Sequence, residues 1–154
     1  MKTKKAFTLI ELLIVIGIIA ILAGIIYVAV DPARRFQEAR DAQRWSEVNA
    51  ILNGYLKYTV DNRGTEPLSG VDSGAYMIGT GSVNCDAGCT ATTTTKGACV
   101  DLAPLVDTYL SSVPKDPSSG TVAKTLYYFH RSINGRITIG ACVPERAATI
   151  SVSR

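Results

Sequence analysis

The sequence is poor in catalytic machinery. It has one histidine, His130, with no serine or cysteine motif beside it, and no phosphate loop, metal-binding helix motif or Asn-x-Ser/Thr sequon. A nucleophile needs a base held within hydrogen-bond reach by a third group, and no such set stands out, so no catalytic residue is expected. Bulk charge is missing too. Setting aside Lys2, Lys4 and Lys5 leaves thirteen basic residues against thirteen acidic ones, which gives no case for binding nucleic acid by charge. Asp116 is the only acid between Asp107 and Glu145, so the loop around it lacks the oxygens of a hard-cation site. Neither a metal nor a cofactor is expected.

Charge is scarcest from Phe7 to Val30, where Glu11 is the only formally charged side chain. A helix rises about 1.5 Å per residue, so this run covers the roughly 30 Å hydrocarbon core of a bilayer. It is apolar on all faces rather than on one stripe. The three lysines precede it. A cleaved secretory signal has a shorter apolar stretch ending in a small-residue cleavage site, which is absent here. An ordinary anchor accounts for the length and the lysines but has no use for Glu11 beside Thr8. An acid inside a membrane segment is functional by default, with a partner to be named.

The stretch Lys4-Lys5-Ala6-Phe7-Thr8-Leu9-Ile10-Glu11-Leu12-Leu13 resembles the leader junction of type IV pilins and type II secretion pseudopilins. The resemblance implies a leader at 1–6, cut by prepilin peptidase between Ala6 and Phe7 on the cytoplasmic side, with N-methylation of Phe7. Relatives usually have Gly where this chain has Ala6. The resemblance also implies a homo-oligomeric helical filament, drawn from the inner membrane by an assembly platform. On physical grounds, the new Phe7 amine and Glu11 are each unfavourable in apolar surroundings. A Glu11 carboxylate meeting a neighbour's Phe7 amine neutralises both and fixes register more than it adds stability. Gly17, Ala20 and Gly24 recur at helical spacing, and Ala20 to Gly24 is a small-xxx-small pair permitting close helix approach. Ordinary membrane-helix composition is the competing reading.

Beyond the assembly helix at 7–30, Asp31-Pro32 either kinks a continuous helix or opens a new one with Asp31 as cap. An amphipathic helix is expected over 31–60. Its apolar stripe is Phe36, Ala39, Ala42, Trp45, Val48, Leu52, Tyr55 and Leu56, with Arg34, Arg35, Glu38, Arg40, Asp41, Arg44 and Glu47 opposite. A head follows at 61–154. Residues 61–98 read as loop, with a short strand at Ala75-Tyr76-Met77-Ile78 and a flexible run from Thr90 to Thr95. Asp101 to Leu110 reads as a short helix with Pro104 in its first turn. Val113-Pro114-Lys115-Asp116-Pro117 resembles a turn that precedes the sheet in some major pseudopilins and related pilins.

Strands are expected at Leu126 to Arg131 and Arg136 to Val143, joined by a type I′ hairpin at Asn134-Gly135, with Ala148, Ile150 and Val152 on a further strand. The fold class is therefore α+β: a type IV pilin-like long N-terminal helix, with a transmembrane and an amphipathic half, packed on a small antiparallel sheet. Four cysteines, Cys85, Cys89, Cys99 and Cys142, fit two disulfides in a domain outside the membrane, with zinc the competitor. Cys85 to Cys89 with Cys99 to Cys142 ranks slightly ahead of the other two pairings.

Three functions remain open. The first is a pilus subunit serving adhesion, motility or DNA uptake, made as a single-pass inner-membrane protein and ending in an extracellular pilus. The second is a pseudopilin of an envelope-spanning secretion pseudopilus. The third is a membrane-anchored extracellular enzyme or binding module.

Overall fold

A computed structural model describes residues 7–68, 70–90, 92, 94 and 96–154, so the leader with Ala6 lies outside the described residues. The chain forms two compact units, one ending at Phe36 and one running Gln37–Arg154. The first unit holds helix α1, Leu9–Val30, none of whose 22 residues is buried. Leucine, isoleucine and alanine sustain it, and Thr8 caps its start. It ends where Asp31 turns left-handed at φ 44 and ψ 78, and helix α2, Pro32–Asp61, starts at the next residue. Proline suits a first helical position because its missing N–H would have no helical partner there. The Asp31 carboxylate accepts the Arg34 N–H at 3.4 Å, so Asp31 closes one helix and caps the next. Of the two expectations at Pro32, the new helix is the one observed.

The end of α2 is a Schellman closure. Gly64 N–H reaches Thr59 O at 2.8 Å and Arg63 N–H reaches Val60 O at 3.3 Å, with Arg63 left-handed at φ 56. Within the second unit, Val48, Ile51, Leu52 and Tyr55 of α2 are buried against a four-stranded antiparallel sheet in the order β1-β2-β3-β4. The strands are β1 Gly74–Met77, β2 Tyr127–Arg131, β3 Ile137–Ala141 and β4 Ser151–Ser153. Period-two alternation sends Tyr127, Phe129, Ile137, Ile139 and Ala141 to the helix side, and the Tyr55 and Phe129 rings meet at 5.5 Å. Each such fully buried large side chain contributes about 2 kcal/mol by area.

The opposite sheet face carries a second, smaller core of Met77, Tyr128, Cys142 and Cys85. Tyr128 lies across its β3 partner Gly140, where an added Cβ would sit 2.5 Å from the ring. Two disulfides close this face, Cys85–Cys99 and Cys89–Cys142. The expected pairing of Cys85 with Cys89 and of Cys99 with Cys142 is thus corrected. Cys85 N–H binds Gly97 O at 2.9 Å and Cys99 N–H binds Gly81 O at 3.0 Å, which sets those two cysteines side by side. Thr90 N–H binds Cys142 O at 3.1 Å, which brings Cys89 to the end of β3.

Other expectations shift in physically instructive ways. Asp101 to Leu110 forms only a 3₁₀ turn at Ala103–Leu105, because Val106 is extended and Asp107, at φ 71, reverses the chain. Leu102, Leu105 and Leu110 are nonetheless buried. At the hairpin, Gly135 alone has positive φ, and its N–H binds Ser132 O at 3.0 Å. The connection is therefore a type I turn closed by a glycine bulge rather than a type I′ pair. Ala148 is exposed and Ala147 packs on the core in its place. In the Thr90 to Thr95 run, Thr94 is buried rather than flexible at the surface, while Ala91, Thr93 and Thr95 lie outside the described residues.

Candidate functional site

Two charged sites stand out, one in each unit. The first is built by the start of α1. Thr8 is its cap and Glu11 the third residue within it, an arrangement in which two orphan backbone donors are satisfied reciprocally. The Thr8 backbone N–H donates to Glu11 Oε2 at 2.8 Å, the Thr8 hydroxyl donates to the same oxygen at 2.9 Å, and Glu11 N–H donates to the hydroxyl at 3.3 Å. One carboxylate oxygen is thereby tied to the helix's own cap. Phe7 is 81% exposed immediately before this cap. The helix is long and apolar enough to cross a membrane. Ala20 and Gly24 line one shallow apolar concavity with Ile21, Ile25, Val28 and Ala29, whereas Gly17 does not. A Cβ at Gly17 or Gly24 would meet nothing within 4 Å in the single chain, so neither glycine is required by packing inside it.

The second site was hidden in the sequence. Arg44 and Asp41, placed by periodicity on the solvent face of α2, are buried, whereas Phe36, Ala39, Ala42 and Trp45 of the expected stripe are exposed. The Arg44 guanidinium is fully buried and grips Asp116 with Nε to Oδ2 at 2.6 Å and Nη2 to Oδ1 at 3.1 Å. It also donates to Asp41 at 2.8 Å and to the Ser118 hydroxyl at 3.1 Å, with Glu145 at 3.6 Å. Asp41 in turn accepts backbone N–H groups from Glu145, Arg146 and Ala147 at 3.0, 2.6 and 2.9 Å. Glu145 is held outside by Arg40 at 2.8 Å. This clasp fixes the turn at residues 114–118 and the turn at residues 144–147 to the helix.

Its electrostatics follow from the partners. Burial disfavours ionised Asp41, but the three backbone donors and Arg44 outweigh it and hold the carboxyl below its usual range. Burial likewise opposes charge on Asp116, and Arg44 with the Ser118 donors overrides it. Tyr127 is pushed upward by burial and by its hydrogen bond to the Glu47 carboxylate. The sequence did hold a signal for the clasp: an i, i+3 acid–base pair at Asp41 and Arg44, and a lone acid between two prolines at Asp116.

The remaining candidates are accounted for by the fold. His130 lies on β2 opposite Thr138. The four cysteines are all in disulfides. Among the described residues, no three His, Cys, Asp or Glu side chains are grouped to hold a metal ion.

No curated protein and no solved structure matches the chain. Residues 1–27 match the family described as the prokaryotic N-terminal methylation motif, and with it the chain carries the signature of type IV pilins and pseudopilins, the substrates of prepilin peptidase.

Proposed function

We propose that this protein is a structural subunit of a type IV pilus. It is made as a single-pass inner-membrane precursor whose leader, residues 1–6, is removed between Ala6 and Phe7 and whose new N-terminal Phe7 is methylated. Residues 7–30 hold the subunit in the bilayer and then form the filament core; residues 31–60 are the amphipathic helix, and residues 61–154 the presented head. The observation that carries this reading is α1, a helix with no buried residue whose only charged group sits at its capped start. Such a helix offers apolar surface for other molecules to cover, first lipid and then copies of itself delivered by an assembly platform. Glu11 has one oxygen bound by Thr8, which supports a role for the other in accepting a neighbour's Phe7 amine.

The second reading, a secretion pseudopilus subunit, draws on Pro114 to Pro117, whose aspartate seats the turn on α2. In either case the part played is that of building material and not of an enzyme.

Two measurements test the proposal. Mass spectrometry of the native protein is expected to find a mature chain beginning with methylated Phe7; a chain retaining Met1 overturns it. Glu11→Ala is expected to leave membrane insertion intact and to abolish most filament yield in sheared-fibre preparations, and wild-type yield from that variant overturns the charge-pair step. Deletion separates the two readings: loss of surface fibres supports the pilus, and loss of exoprotein secretion supports the pseudopilus.

A further inference from the structure

At the tip of the β2–β3 hairpin, Ser132, Asn134, Gly135, Arg136 and Arg154 line one polar concavity. Both arginines are exposed, and no carboxylate side chain lines the concavity. Three other arginines of the second unit are paired with acids. Arg131 next door is neutralised by Glu66 at 2.7 Å, Arg40 by Glu145 at 2.8 Å, and Arg44 by its buried acids. Arg136 makes no ion pair among the described residues, and the Arg154 guanidinium reaches only the Ser153 carbonyl, at 3.3 Å.

The backbones carrying these two side chains are anchored. Arg154 exchanges two hydrogen bonds of 2.9 Å with Ile137, the residue after Arg136, so its main-chain oxygen is engaged with the sheet. Arg136 N–H donates to the Ser132 hydroxyl oxygen at 3.0 Å, and Arg136 O accepts the Ser132 N–H at 2.9 Å. With its oxygen already accepting, the Ser132 hydroxyl has its own proton to donate, and the Asn134 amide supplies further donors. Two guanidinium forks and two neutral donors facing one concavity match the planar, bidentate recognition of a phosphate or sulfate group.

We infer that the hairpin tip is a binding site for one oxyanionic group, a sulfate or phosphate ester on an acidic ligand, held between Arg136 and Arg154. Ile133, 87% exposed beside it, offers the same ligand an apolar contact. The site lies at the surface, where charges are screened over roughly 8 Å at physiological salt, so a single ester is bound weakly and several together bind well.

The test uses the full mature chain in nonionic detergent, titrated with sodium sulfate at constant ionic strength and followed by amide shifts. Saturable shifts confined to residues 132–136 and 154 are expected, with Arg136→Gln or Arg154→Gln raising the midpoint at least tenfold and Lys115→Gln leaving it unchanged. Shifts that are linear, are matched by chloride, or survive both arginine substitutions overturn the site. A sulfated disaccharide and a phosphorylated one then distinguish the source. Tighter binding of either than of inorganic sulfate, lost with the arginines, supports the site and names its ester, and binding of both no better than sulfate overturns its role toward an acidic ligand.

Discussion

Helix α1 holds 22 residues and buries none, whereas α2 buries seven, among them an arginine and an aspartate. Both segments must keep charge in apolar surroundings, and they do so by opposite means. In α1 the single acid is held by one neighbouring residue, Thr8, at the exposed start of the helix, and in the proposed function its further partner comes from another molecule. In the second unit, Arg44 meets carboxylates from α2 and from two distant turns, and the charge is closed off within the chain. On the proposed function, the first arrangement is completed only by assembly. The second is complete on folding, and it is spent on holding loops in place.

The sharpest way to break this contrast is to remove the charge from each unit in turn. Arg44→Met leaves Asp116 and Asp41 buried without their cation, and losing one partner of a buried pair costs about 3–5 kcal/mol. A fall in thermal midpoint on that scale, read by circular dichroism on the mature chain in detergent, is the expected outcome. Glu11→Ala is expected to leave the same melt unchanged while filament yield collapses. If Arg44→Met melts like wild type, the clasp does not hold the head together.

The disulfides come next. Cys89–Cys142 closes a separation of 53 residues and Cys85–Cys99 one of 14. By the chain-entropy relation the longer closure is worth about 4 kcal/mol and the shorter about 3. Replacing Cys89 and Cys142 together with Ser should therefore lower the melt more than replacing Cys85 and Cys99, and the reverse order would mean that strain or residual structure dominates.

Acid sharpens the comparison with a smaller effect. Asp41 and Asp116 titrate below their usual range because the donors around them overcome burial. A depressed native pKa gives stability that is fully present above the unfolded value of about 3.9 and is lost as pH falls through the lower native value. The melt should therefore be flat in these two groups from neutrality to about pH 4 and decline below it. In Arg44→Met, whose carboxylates have lost the cation and are less depressed, less of that stability remains to be lost, so the decline below about pH 4 should be shallower.

How far the sequence could be read follows the same division. In α1, every residue from Phe7 to Val30 except Glu11 is uncharged, so composition alone specifies a helix of membrane length, and Thr8 before Glu11 marks its start. The hairpin was legible for a similar reason, since Gly135 and the alternation of Ile137 and Ile139 are local signals; only the turn type differed, because Asn134 does not adopt positive φ. On α2 the periodic stripe failed over Phe36 to Trp45. Periodicity ranks residues by polarity, and Arg44 is buried not because it is apolar but because Asp116, 72 residues away, meets it. The disulfide pairing was out of reach for the same reason: hydrogen bonds from Cys85 to Gly97 and from Thr90 to Cys142 set it, and neither leaves a trace in cysteine spacing.

The smallest expected effect concerns Thr8, and it tests whether the acid in α1 is prepared before its partner arrives. Thr8→Ala removes the hydroxyl that donates to Glu11 but keeps the backbone N–H that donates to the same oxygen at 2.8 Å. Loss of a threonine cap is worth about 1 kcal/mol, a factor of about five in an equilibrium. Filament yield should therefore fall several-fold, between wild type and Glu11→Ala, while Thr8→Ser, which keeps a hydroxyl at the cap, should restore it. The head's melt should not respond to either substitution. Should Thr8→Ala assemble as well as wild type, the intramolecular cap contributes nothing to assembly, and Glu11 acts only through the group it meets on another subunit.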